Sequence, residues 1–252
     1  MIGSKLYRTK SCADSITWAS QHLIDAPHGS VFLADSLESA HGRGGRVWIW
    51  QPGQLAVTII LKPKTFNLSS VEDLPIRLNQ LNMAISLGIQ TVLSEYGVGL
   101  KWPNDFVLNN KKVGGLLFKV VWQNNFPTGI ILGFGININN EFKPTDELFD
   151  IATSLKQELG NELEMRAIYK NLLHSMNEFY KKWLVGAFDE IYKPWRKAQL
   201  NLGKKLKINL TSDKTISGTM LQVMPNGDII LIDEAGKQQI IPFYTVQETL
   251  VV

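Results

Sequence analysis

The chain has 252 residues, 44% of them apolar and 19% charged. That suits one substantial core with material left for a small second unit, and it excludes the disordered and fibrous classes. The net charge of +3 comes from Lys and Arg scattered along the chain, with no basic block of the kind that grips DNA. No apolar stretch approaches the roughly 18–20 residues that span a membrane. Met1 opens no apolar leader and the single cysteine, Cys12, has no internal disulfide partner, so a reducing, cytoplasmic setting is expected.

Residues 15–24 (SITWASQHLI) read as a first helix, because Asp14 or Ser15 offers a capping oxygen and Ile16, Ala19, Leu23 and Ile24 recur at helical spacing. Ser30–Ala34 and Leu55–Leu61 read as strands by their β-branched and aromatic content, with a long loop rich in Gly and Arg between them. The apolar positions of Pro75–Glu95 are too many for a narrow stripe and predict a helix lying on a sheet, although Gly88 interrupts it. Val98–Lys101, Phe106–Leu108, Lys112–Trp122 and Gly129–Asn137 follow as consecutive antiparallel strands, separated by PND, NNK and NNFP turns.

Asn161 with Glu164 predicts a capping box ahead of a helix whose stripe is Met165, Ile168, Leu172, Met176, Phe179 and Trp183. A shorter helix spans Ala187–Lys197. Beyond Gly203, the short strands Lys205–Leu210, Ile216–Val223, Asp228–Ile232 and Gln238–Pro242 predict a small barrel or sandwich. The expected division is therefore a larger unit over 1–200 and a small β-barrel over 201–252.

Two segments carry chemistry. In His41-Gly42-Arg43-Gly44-Gly45-Arg46-Val47-Trp48, three glycines let the backbone approach a ligand, two guanidinium forks match phosphate or carboxylate oxygens, and Trp48 offers a flat face to a purine. Lys101-Trp102-Pro103-Asn104-Asp105 places an amide and a carboxylate on a turn, and Lys112, one hairpin strand on, adds a cation. That set would hold Mg2+ and the charge that develops when a phosphate is attacked.

Together these segments resemble the glycine/arginine loop, the K-W-P-N-D element and the K-x-x-G-[IL]-L element of biotin protein ligases. Residues 133–139 (GFGININ) and 152–155 (ATSL) resemble further elements of that family. The resemblance implies an α+β fold: a mixed, largely antiparallel sheet flanked by helices, of the class II synthetase-like catalytic type, plus a small C-terminal β-barrel and no N-terminal DNA-binding domain. It also implies a two-step reaction, in which biotin and ATP give biotinyl-5'-AMP and a lysine of a biotin carboxyl carrier protein, as in acetyl-CoA carboxylase, then displaces AMP.

By the same resemblance, Arg43 and Arg46 lie in a loop that orders over the adenylate, Trp48 stacks on adenine and Asn137 lies near it. Asn104 and Asp105 serve phosphate, metal and incoming amine. Lys112, in the strand that carries Gly115, touches the biotin carboxylate and the α-phosphate; Lys112, Arg43 and Asp105 are the expected catalytic groups.

The sequence departs from the family where the biotin head would sit. Ser15-Ile16-Thr17 stands for S-T-N, Leu37 for a glutamine, Ala40-His41 ahead of Gly42 for a Gly-Arg pair, and Lys119 for a glutamate. Two alternatives follow: a lipoate or octanoate ligase or transferase of the same superfamily, suited by Ile16 and Leu37, and a diverged binding module without turnover. A cysteine-based acyltransferase is disfavoured, since Cys12 lies outside the motif segments. Exposed edge strands would serve a homodimer or dock the acceptor.

Overall fold

The structure, a computed structural model, describes residues 1–62 and 71–251, apart from the side chains of Arg43 and Val71. In chain order the elements of the main unit are β1 (Leu6–Thr9), α1 (Ser15–Gln21), β2 (Val31–Ala34), β3 (Gln54–Leu61), α2 (Leu74–Leu93), β4 (Gly99–Lys101), β5 (Asp105–Leu108), β6 (Lys111–Gln123), β7 (Phe126–Asn137), α3 (Leu155–Leu159), α4 (Met165–Leu184) and α5 (Asp189–Lys197). Its sheet has the order β1-β2-β3-β7-β6-β5-β4. β1 and β2 are parallel and the remaining pairs antiparallel, so the mixed, largely antiparallel α+β expectation holds. No helix among the described residues is long and apolar enough to cross a membrane.

Alternation along the strands gives the sheet two unlike faces. Leu55, Val57, Ile59 and Leu61 of β3 and Ile130, Leu132, Phe134 and Ile136 of β7 share a core with α2, α4 and α5. α4 presents Ile168, Leu172, Met176, Tyr180 and Trp183, a stripe at three- and four-residue spacing. Gly88, the interruption in α2, is where α4 comes closest: a Cβ there would lie 2.8 Å from the Met176 Cα. α1 packs on the opposite face, where Ala19 and Leu23 meet Phe32, Ile60 and Ile131. It covers part of that face and leaves a trough beside it.

Several expectations need correction. The N-terminal strand β1 was not foreseen; its burial alternates between exposed and half-buried, so its four residues carry no apolar signal. α1 stops at Gln21, leaving Ile24 91% exposed; Asp14 is its cap, accepting from the Thr17 amide at 2.7 Å. The capping box at Asn161 does not form. Glu164 is itself the cap of α4, taking the Arg166 and Ala167 amides at 3.1 and 2.8 Å, because its two oxygens reach both orphan donors.

After α5 come β8 (Lys205–Leu210), β9 (Thr215–Val223), β10 (Ile229–Ile232), β11 (Gln238–Ile241) and β12 (Val246–Val251). They form an antiparallel sheet of order β11-β10-β9-β8-β12. The outer strands β11 and β12 do not pair with each other, so this is an open sheet and not the closed barrel expected. It packs back on the main unit: Trp102, buried in the KWPND turn, donates its indole N–H to the Gly227 carbonyl at 3.1 Å.

Candidate active site

The trough is built by strand parity. On the face beside α1, three rows run across the sheet: Thr58 of β3, Gly133 and Leu117; then Ala56, Gly135, Gly115 and Asp105; then Gln54 and Asn137. Residues two apart on a strand face the same way, so the outer rows lie roughly 13 Å apart. Small residues floor the middle row, and above it opens a cavity of about 250 Å³.

Each end has its own chemistry. At the α1 end, Ile16 lies over Gly133, whose missing Cβ would stand 3.0 Å from the Ile16 Cδ1. Leu37 is buried and lines the cavity with Leu117. Ser15 is buried and its hydroxyl accepts from Thr58 at 2.8 Å, which leaves the Ser15 proton available as a donor. This end is largely aliphatic, with the paired Ser15 and Thr58 hydroxyls and Asp14 as its polar groups.

At the far end, the Trp48 ring covers Gly135, so that a Cβ there would meet Trp48 Cζ2 at 2.7 Å. The Asn137 amide donates to the Thr153 carbonyl at 3.0 Å and its oxygen accepts from Gln54 at 2.9 Å. That buried network fixes the wall that Phe142, Leu148 and Ile151 complete. Gln54, Thr58, Ala56, Gly133 and Gly135 were missed as site residues; the signal was their shared parity with Asn137 and Gly115, which becomes informative once strand neighbours are known.

The middle row holds the charges. Lys112 Nζ lies 2.7 Å from Asp105 Oδ1, beside Gly115, where a Cβ would stand 3.3 Å from Lys112 Cε and 3.4 Å from Asp105 Oδ1. The Lys112 backbone is clamped by the ATSL segment and the residue before it: its N–H donates to the Ile151 carbonyl and its carbonyl accepts from the Thr153 amide. Asn104 spends its amide on the Leu116 carbonyl, and its own carbonyl accepts from the Leu116 amide at 3.0 Å. It holds the turn against β6, which steadies Asp105.

The glycine/arginine segment roofs the trough as a narrow loop. Gly42 donates to the Arg46 carbonyl, Trp48 to the Ala40 carbonyl, and His41 pairs with Val47. Gly44 and Gly45 at its tip take φ of 68° and 75°, a region that side chains disfavour. His41, Gly42 and Arg46 line the cavity; the Arg43 side chain lies outside the described residues. Of the expected set, Thr17 is not brought in. It is exposed and lines an adjoining hollow with Lys119, because the first turn of α1 points Ser15 inward and Thr17 outward.

Cys12 is not among the cavity's lining residues and packs half-buried with Leu37 and Trp48. Burial, with Asp14 and Glu38 nearby, pushes its thiol up, away from the thiolate a nucleophile needs. Among the described residues no three His, Cys, Asp or Glu side chains gather as a metal site. Asp105 offers a carboxylate in the middle of the trough and Asp14 lines its α1 end; one carboxylate beside Lys112 fits a Mg2+ ion carried chiefly by substrate phosphates and not one caged by protein.

Fold and trough together define an α+β protein with a two-ended ligand trough beside α1. The Biotin/lipoate A/B protein ligase family model matches residues 9–137, just over half of the chain, and the chain belongs to that family. It is 29% identical over 224 residues to the bifunctional ligase/repressor BirA of Bacillus subtilis; the match covers 86% of this chain but 65% of that relative. The biotin–[acetyl-CoA-carboxylase] ligase of Paracoccus denitrificans is 23% identical over 235 residues, covering 90% of this chain and 94% of its own length. Among solved structures, a biotin protein ligase from Aquifex aeolicus in complex with biotin and ATP superposes with a TM-score of 0.81 at 25% identity, over 99% of this chain and 100% of that one.

Proposed function

We propose that this chain is a biotin protein ligase: it joins biotin to ATP, giving biotinyl-5'-AMP and pyrophosphate, and passes the biotinyl group to a lysine of a biotin carboxyl carrier protein such as that of acetyl-CoA carboxylase. The observation that carries this reading is the placement of Lys112 and Asp105 in the middle of a trough with an aliphatic end and an aromatic, amide-lined end. An acid entering from the α1 end and a nucleotide under Trp48 and beside Asn137 would meet at the Lys112 ammonium. The complex of the Aquifex ligase with biotin and ATP supports the same pair of substrates.

In this reading Ser15, Ile16 and Leu37 hold the biotin head, and Lys112 bridges the biotin carboxylate and the α-phosphate. Its charge stabilises the five-coordinate phosphorus as the carboxylate oxygen bonds and pyrophosphate leaves. Arg46 adds charge from the roof, with His41 and Gly42 behind it; by the family resemblance Arg43 would supply a second guanidinium. Asp105 keeps Lys112 aimed and receives the carrier lysine as its amine attacks the acyl carbon and AMP departs. Mg2+, when bound with ATP, would neutralise the departing pyrophosphate, with Asp105 as its protein ligand.

The catalytic domain would span residues 1–200, and the small C-terminal sheet would form a separate domain over 201–252. Of the main sheet's edges, β4 is flanked by residues 198–200, which bond to Leu100, so β1 is the strand we assign to a carrier or a second copy. A second reading rests on Ile16 and Leu37: the aliphatic end also suits lipoate or octanoate.

The deciding experiment is ATP-dependent adenylate formation with biotin, lipoate and octanoate in parallel, with Lys112→Ala as control. Biotinyl-AMP made by the wild type and lost in the variant is the expected result. Adenylate with only another acid moves the substrate, and none with any acid leaves a binding module.

A further inference from the structure

The roof loop is tied to the C-terminal sheet at a defined point. Arg46, which lines the cavity, places Nη1 3.4 Å from Glu248 Oε1 and donates through Nη2 to the Gln247 carbonyl at 3.2 Å. The second Glu248 oxygen accepts from Asn209 Nδ2 at 3.1 Å, and Asn209 Oδ1 accepts from Thr215 Oγ1 at 3.0 Å. Three strands, β12, β8 and β9, thus stand behind one guanidinium. The pairing of β12 with β8 steps over Gln247, its register shifting between Val246 and Glu248. Such a bulge turns backbone and side chain away from the regular ladder; here the Gln247 carbonyl and the Glu248 carboxylate both meet Arg46.

We propose that Glu248 is a positioning residue for the adenylate site: it orients Arg46 across the cavity mouth, so that the C-terminal sheet holds the roof over the bound acyl-adenylate. This rests on the reading of the trough given above. A guanidinium on a glycine-tipped loop has many rotamers, and only those that cross the mouth can help retain an anion beneath it. A carboxylate fixed by Asn209 selects those rotamers before the nucleotide arrives. Arg46 and Glu248 are 58% and 40% exposed, so the pair is weakened by salt, and that gives the role a signature that a folding defect lacks.

The test uses the full chain with Glu248→Gln and, separately, Asn209→Ala. Enzyme loaded with biotinyl-AMP is separated from free ATP and followed for adenylate release without acceptor, at low and at high salt, with KM for ATP and kcat measured alongside. Glu248→Gln should release adenylate about twofold to fivefold faster at low salt, converge with wild type at high salt, and raise KM for ATP more than it lowers kcat. Asn209→Ala should act in the same direction and less strongly. Release as slow as wild type in both variants, or acceleration that salt does not alter, overturns the proposal. Wild type that makes no adenylate from any acid overturns the reading of the trough instead.

Discussion

On β7, Leu132, Phe134 and Ile136 enter the core shared with α2 and α4, while Gly133, Gly135 and Asn137, each one residue away, floor the trough. The same backbone thus carries a face selected for bulk and a face selected for space. On the helix face a lost methylene leaves a void; on the trough face an added one removes the room a ligand needs. Stability and chemistry are separated by parity along a strand, and each can be disturbed with the other largely intact.

The largest effect should come from the helix face. Leu132 is fully buried, and Leu132→Ala should cost about 2–5 kcal/mol of stability, read as a lower denaturant midpoint. At temperatures where the variant is folded, KM for ATP should stay near the wild-type value. A Leu132→Ala protein with unchanged stability and a raised KM would break the comparison. On the trough face Lys112→Ala removes the ammonium paired with Asp105 at 2.7 Å. It should slow adenylate formation by about 10²–10³-fold, with the denaturant midpoint nearly unchanged because the side chain is partly exposed.

A smaller and more local effect belongs to Gly135→Ala. The new Cβ would stand 2.7 Å from the Trp48 ring edge, so the ring must swing off the floor. An adenine that stacks on Trp48 loses that partner, and KM for ATP should rise roughly tenfold, since stacking is worth about 1–3 kcal/mol per base. Titration with an ATP analogue, read by tryptophan fluorescence, separates this from a folding loss.

How much of this division was legible beforehand depends on range. The strands from Val98 to Asn137 and the helices built on Leu81 and Leu172 follow from periodicity, and KWPND with Lys112 pointed to side chains that meet beside Gly115. What escaped were relations across strands. Gln54, Ala56 and Thr58 look like ordinary β3 residues until the ladder sets them opposite Asn137, Gly135 and Gly133. Four of the C-terminal strands were visible by alternation and β12 was not; whether five strands close depends on tilt and stagger, which no single strand encodes. β1 escaped because none of its four residues is fully buried, and Thr17 faces away from Ser15 because two steps along a helix turn a side chain by about 200°.

The smallest effect tests whether acid weakens the helix face on its own. His28 sits where the end of β3 meets α4: its Nδ1 accepts the Lys62 amide at 3.0 Å and its Nε2 lies 3.2 Å from the Tyr180 hydroxyl. Burial first, then the positive N-terminus and Lys62, lower its pKa to about 4 from an ordinary 6.5. Between those values the unfolded chain binds a proton that the native ring refuses, so stability rises with pH across this window. The contribution is complete above about pH 6.5 and is lost as pH falls toward 4; partial exposure holds it to about 1–2 kcal/mol. Melting of wild type and His28→Asn at pH 7 and pH 5 isolates it, because an asparagine amide can accept the Lys62 N–H without titrating. The wild type should lose more stability than the variant over that interval. An equal loss in both would assign the acid sensitivity to other groups, and the division between the faces would then have no pH signature at His28.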